Sequence, residues 1–170
     1  VENDWPKNIT NSTWKFRADG ALSNLEENQT DLGIKVSSPQ DCGIESGEYC
    51  AIWLGAEMPG DQQIDDSKSV CFTSQILSEK LDIVGAPTIH LSIASDKPVA
   101  QIAVRLNHIH PDGASTRITY GVFNLAHRNG FDMATPLSPG EVFDVDFSLD
   151  QIAYRVPAGH KIRVSISSCY

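Results

Sequence analysis

The 170 residues contain no Gly-x-Ser-x-Gly and no strand–helix–strand pattern that could host such a nucleophile elbow. Serine and histidine are present, but no pattern sets a carboxylate-held base beside a nucleophile, so no catalytic residue is assigned. Cys-x-x-Cys pairs are also missing, which removes the common zinc signatures. No apolar run approaches the ~20 residues a helix needs to cross a bilayer, so no membrane partner is expected. Basic clusters are absent too: 13 Lys and Arg face 22 Asp and Glu, for a formal charge of −9. A surface of that sign repels phosphate backbones, and nucleic acid is not an expected partner. The opening Val1-Glu2-Asn3-Asp4-Trp5-Pro6 has no initiator Met, no basic n-region and no apolar h-region. It does not read as a signal peptide, and the expectation is a chain that begins inside a longer protein.

What is present describes an ordinary globular chain, with 41% hydrophobic and 21% charged residues, long enough to bury a core of its own. The four cysteines (Cys42, Cys50, Cys71, Cys169) allow three pairings if all are oxidised. Free thiols in a cytoplasmic protein are the favoured reading. Secretion stays open; Asn8, Asn11 and Asn28 each begin an Asn-x-Ser/Thr triplet, but such triplets arise often by chance and carry little weight.

Residues 1–69 read as irregular, with a helical turn or two between Leu22 and Leu32. From Val70 the pattern becomes short runs of period-2 alternation. Ile89, Leu91 and Ile93 form one apolar face, as do Ile102, Val104 and Leu106. The cleanest run is Phe143, Val145, Phe147 and Leu149, and Ile162, Val164 and Ile166 form the last. Ile118 to Leu125 carries apolar groups on both faces and is expected to be a central strand. Turn signals separate these runs, at Ser95-Asp96-Lys97-Pro98, Pro111-Asp112-Gly113, Ser138-Pro139-Gly140 and Pro157-Ala158-Gly159. Pro111 and Pro157 close the strands before them, because proline cannot donate to a ladder. Several short strands with turns between them predict an all-β sandwich or barrel.

Three clusters invite a chemical test. His108 and His110 stand at i, i+2, on one side of a strand, with Asp112 the nearest carboxylate. With no third ligand indicated, hydrogen bonding at the strand end is preferred, and no metal or cofactor is assigned. His160 and His127 are expected to order turns. Asp61, Asp65 and Asp66 could present oxygen to calcium, but a solvated acidic loop is the preferred reading. Trp5, Trp14, Tyr49 and Trp53 could stack on sugars, which would make the chain a stand-alone carbohydrate-binding module. Packing of these rings against the sandwich is preferred.

The run Asp65-Asp66-Ser67-Lys68-Ser69-Val70-Cys71-Phe72-Thr73-Ser74, followed by Asp82-Ile83-Val84-Gly85-Ala86-Pro87, resembles the opening of the X-Pro dipeptidyl-peptidase C-terminal domain. The resemblance continues through Ala103-Val104-Arg105-Leu106, Pro111-Asp112-Gly113, Thr116 to Arg128 (with Gly121, His127 and Arg128), Leu137-Ser138-Pro139-Gly140 and Ala158-Gly159-His160-Lys161-Ile162-Arg163-Val164. It covers about residues 61–170, with residues 1–60 as a lead-in that packs on the sandwich. It implies a galactose-binding-like jelly roll at the C-terminal end of CocE/NonD-type serine hydrolases. Their triad would lie in an upstream α/β-hydrolase domain of the same polypeptide, the expected partner, with homo-oligomer contacts also implied. Arg105, Arg117, Arg163 and Trp53 are the candidate contacts to that domain. At Ser167-Ser168-Cys169-Tyr170 the resemblance implies a chain that continues. An end here would leave an unprotected sheet edge prone to self-association.

Overall fold

The computed structural model describes residues 10–25, 33–47 and 58–170. Ten strands carry the architecture: β1 Lys15–Phe16, β2 Ala21–Ser23, β3 Val70–Ser74, β4 Leu81–Gly85, β5 Thr88–Ala94, β6 Gln101–Ile109, β7 Ser115–Asn124, β8 Val142–Ser148, β9 Ile152–Val156 and β10 Lys161–Ser167. Among the described residues the helices are short, α1 at Gln63–Ser67 and a 3-10 turn at Leu125–His127. None is long and apolar enough to cross a membrane.

One layer is a six-stranded sheet in the order β1-β2-β3-β10-β6-β7, antiparallel except for the β2–β3 pair. Two antiparallel pairs, β4–β9 and β5–β8, face it. Apolar residues of one parity fill the space between. Ile102, Val104 and Leu106 of β6, Ile162, Val164 and Ile166 of β10, and Phe72 of β3 meet Ile89 of β5, Val145 of β8 and Val156 of β9. Each exchanges water for close-packed hydrocarbon, about 1.5–3 kcal/mol per large side chain. The result is an all-β sandwich, as the alternation and turns require.

The turns do what their residues dictate. Gly85, Gly113, Gly140 and Gly159 all have positive φ, a region L-residues avoid. Gly159 donates its amide to Leu77 and Gly140 to Ser95, tying loops to the layers. Pro139 precedes Gly140 in that turn, and the Pro87 carbonyl accepts from the Leu149 amide. Gly121 is needed for space: a Cβ there would lie 3.0 Å from Leu149 Cδ2 and 3.3 Å from the Ser148 carbonyl oxygen.

Two expectations are corrected. Ile118–Leu125 does not form a central strand, since β7 is an edge of the six-stranded sheet and exposes Val122. The central strand is β6, buried from Ile102 to Ile109 despite carrying Arg105, Asn107 and His108. The lead-in is also more ordered than expected, because β1 and β2 extend the sheet through β3. Ala21–Ser23 is extended rather than helical, and residues 26–32 lie outside the described ones. The last strand, β10, lies inside the sheet with β3 and β6 on either side, and β7 is an edge of that sheet.

Candidate functional site

Two polar constellations are built on β6, one on each face. The first lies on the outer face, where Arg105 and Asn107 of β6 stand opposite Ser165 and Arg163 of β10. All are polar because this face does not meet the apolar layer. The helix α1 covers it and inserts Asp66, which is 5% exposed. Asp66 Oδ1 accepts from Asn107 Nδ2 at 2.9 Å and Ser165 Oγ at 2.7 Å. Oδ2 accepts from Ser115 Oγ at 2.8 Å and from the Arg163 guanidinium at 3.0 Å. The Arg105 guanidinium lies 3.5 Å from Oδ1. It donates to the Asp65 carbonyl at 3.2 Å and to Ser69 Oγ at 2.7 Å, and its cation sits 4.5 Å from the centre of the Tyr170 ring. A buried charge requires this degree of pairing.

The neighbouring Asp65 turns the other way. Its carboxylate accepts the amides of Gly43 at 2.8 Å and Glu45 at 3.1 Å, clamping the 42–47 loop to α1. Tyr170 closes the same region, donating to Gln62 Oε1 at 2.6 Å and accepting from Arg117 at 2.7 Å. Burial pushes the Tyr170 phenol above its ordinary range. Burial likewise raises the Cys71 and Cys169 thiols, which with Cys42 are free. Cys50 lies outside the described residues.

This network corrects two expectations. Asp65 and Asp66 are not a solvated acidic loop; both are buried in α1. They also point to different partners, and each oxygen already accepts a donor, so they do not converge on a cation. Of the three, Asp61 alone is exposed, accepting the Gln63 and Ser115 amides. Arg105 has no exposed surface to offer a neighbouring domain. It stands on the outer, polar face of β6, and α1 and the loop at Cys42 cover that face. Arg117 and Arg163 are half-buried and already bonded, Arg117 to the Ser46 carbonyl at 3.0 Å and Arg163 to Asp66. Trp53, Trp5 and Tyr49 lie outside the described residues, while Trp14 packs against the core.

The second constellation lies on the inner face, where the apolar stripe of β6 runs out at the end of the sandwich. His108 continues the parity of Val104 and Leu106, and His110 follows it. In the antiparallel register Ile162 faces His108, which brings His160, just ahead of β10, against the same pair. His108 Nε2 lies 2.6 Å from His160 Nδ1, and His108 Nδ1 lies 2.9 Å from Tyr154 Oη of the opposite layer. The rings of His108 and His110 stack at 4.0 Å between centroids. Thr116 Oγ1 holds His110 Nε2 at 3.0 Å. Burial lowers the His108 pKa to about 4, with the neighbouring His110 and His160 adding to the effect.

The sequence pattern singles out His108 and His110, with Asp112 as the nearest carboxylate. That carboxylate instead accepts the Ala114 amide at 3.1 Å and shapes the Gly113 turn. The third member is His160, and its signal is a histidine one residue before a strand that pairs with β6. Two further motif positions lie at the 3-10 turn. Arg128 donates to the Thr135 carbonyl at 2.8 Å and lies over Phe143, pinning the loop after the 3-10 turn. His127 stacks on Phe131, whose ring is largely exposed.

Comparison with known proteins places these features in context. The sequence model of the X-Pro dipeptidyl-peptidase C-terminal non-catalytic domain matches residues 1–170. Proteins of Mycobacterium bovis and Mycobacterium tuberculosis, both provisionally named serine esterases, are each 28% identical over 96% of the chain. The chain spans 29% of their length. Among solved structures, an aminopeptidase from a marine sediment archaeon (Thaumarchaeota) superposes with a TM-score of 0.73 at 22% identity, over 92% of this chain and 29% of its own. An alpha-amino acid ester hydrolase does so with a TM-score of 0.61 at 24% identity, over 64% of this chain and 19% of its own. A CocE/NonD family hydrolase from Staphylococcus aureus gives 0.52 at 15% identity, over 62% of this chain and 23% of its own.

Proposed function

The chain belongs to the X-Pro dipeptidyl-peptidase C-terminal non-catalytic domain family, and from that premise we propose that it is the supporting sandwich of a serine hydrolase acting on acyl esters, amides or X-Pro peptides. The observation that carries the reading is the family match along the whole chain, together with its span of less than a third of the serine-esterase relatives. In the longer polypeptide an upstream α/β-hydrolase domain would supply the serine, the histidine that shuttles its proton and the amides that hold the oxyanion. The sandwich would pack on that domain and wall its substrate cleft.

The surface around α1 is the docking face this reading favours. Asp65 ties α1 to the 42–47 loop and Asp66 ties it to the sheet, and around it Ile44, Met58 and Ile64 are 67%, 75% and 51% exposed. Exposed apolar side chains gathered in one place are what an interdomain contact uses, each worth about 1 kcal/mol or more when central. Met58→Asp with Ile64→Asp, placed in the longer polypeptide, should lower its melting temperature and raise KM. In the 170-residue chain alone the same pair should change stability by less than about 0.5 kcal/mol per site, as for exposed positions. Unchanged melting and kinetics in the longer polypeptide would remove α1 as the docking face.

A further inference from the structure

We propose that His108, His110 and His160 form a binding site for a zinc-class divalent transition metal at the end of the sandwich. One ligand nitrogen from each of the three rings lies within 4.8 Å of the other two. Imidazole is the ligand that suits zinc, copper, nickel and cobalt among divalent ions, and hard oxygen-seeking cations are disfavoured by an all-nitrogen set. Three protein ligands leave a fourth tetrahedral position, which solvent can fill because His110 and His160 are only half-buried.

Two of the three rings have a hydrogen-bonding partner on the second nitrogen. Histidines that bind metal hold their second nitrogen against a hydrogen-bonding partner, which fixes ring and tautomer. Tyr154 Oη serves His108 Nδ1 at 2.9 Å, and Thr116 Oγ1 serves His110 at 3.0 Å. With the Nδ1 hydrogen of His108 directed to Tyr154, its Nε2 presents a lone pair toward His160. There the two nitrogens are 2.6 Å apart and share one hydrogen. An ion with bonds of about 2.0–2.1 Å to each would hold tetrahedral nitrogens about 3.3 Å apart. Binding therefore needs the His108–His160 pair to open by about 0.7 Å, the most distant nitrogen of the three to close in from as much as 4.8 Å, and His160 to carry its hydrogen on the other ring nitrogen. All three imidazoles bind in the neutral form. The β6–β10 ladder holds His108, and His110 and His160 each follow or precede a paired strand residue by one position, so the three Cα atoms stay close while the rings turn toward the ion.

The test uses the metal-stripped 170-residue chain titrated with zinc(II) and, for its visible spectrum, cobalt(II). One ion per chain is expected, with the d–d bands of a tetrahedral cobalt centre and a zinc-dependent rise in melting temperature. In the NMR spectrum of the unaltered chain, zinc should shift the ring signals of His108, His110 and His160 and leave those of His90 and His127 unmoved. His110→Ala and His160→Ala should each weaken binding at least tenfold, and Tyr154→Phe by roughly tenfold, the range for an outer hydrogen-bond partner. Saturable binding that survives in both histidine variants, or zinc shifts centred on other residues, would overturn the proposal. So would the absence of any saturable binding. If a variant loses its far-ultraviolet β signature, the NMR result on the unaltered chain decides.

Discussion

Replacing Asp66 by alanine tests whether the outer-face network holds the fold together. The change removes the carboxylate that reaches Asn107, Ser165, Ser115 and Arg163 at 2.7–3.0 Å. It leaves Arg105 fully buried, with no counter-charge within 4 Å among the described residues. Taking one partner from a buried ion pair costs about 3–5 kcal/mol, because the remaining cation keeps its desolvation penalty. The four hydrogen bonds are not added separately, since they belong to the same network. For a chain of this size each kcal/mol lowers the melting temperature by about 2–4 °C, so a fall of roughly 6–20 °C is expected. The assay is urea unfolding followed by circular dichroism, supported by a thermal melt. Arg105→Met in the Asp66→Ala background should recover part of the loss, because an apolar side chain of similar length leaves no buried charge. A loss below about 1 kcal/mol for Asp66→Ala, within the range of exposed pairs, would refute the reasoning.

Gly121→Ala should destabilise by about 1–3 kcal/mol, as overpacking does, because its Cβ would press on Leu149 and the Ser148 carbonyl; chemical denaturation measures it. Gly43→Ala should cost more than Gly121→Ala in the same assay, since its φ is +107° and its Cβ would lie 2.8 Å from the Tyr170 backbone. Ile166→Ala should cost about 2–5 kcal/mol by opening a cavity between the layers, with the denaturant slope unchanged. The exposed pair His90–Asp146, 2.6 Å apart, raises the His90 pKa through the hydrogen bond and charge of Asp146. The folded state then holds the proton more tightly than the unfolded one, so this contribution is complete below about pH 6.5 and disappears as pH rises through the raised value. Melting temperatures across that window should show the step in the parent chain and lose it in His90→Ala.

The sandwich is legible in the sequence because its half-buried strands alternate cleanly; Phe143 to Leu149 and Ile162 to Ile166 point one parity into the core. The polar strand β6 is harder. Arg105 and Asn107 look like solvent-facing residues, and only the packing of α1, about forty positions earlier in the chain, reveals that their face is covered. Ile118–Leu125 misleads for the opposite reason. Apolar groups on both faces suggest two covered sides, yet at the sheet edge Val122 stays exposed while Phe123 stacks on Phe147. Strands of two or three residues, such as Lys15–Phe16 and Ala21–Ser23, are too short to show any period. The histidine cluster is half legible: the i, i+2 pair is visible in the sequence, whereas His160 joins it only through the β6–β10 register.

The most direct test of the central claim is hydrolysis measured on two purified proteins, the 170-residue chain and the longer polypeptide that contains it. Aryl esters and X-Pro anilides serve as substrates for both. Turnover is expected from the longer polypeptide, abolished by a serine-directed reagent, and none from the 170-residue chain. Turnover by the 170-residue chain alone, lost on treatment with the same reagent, would contradict it.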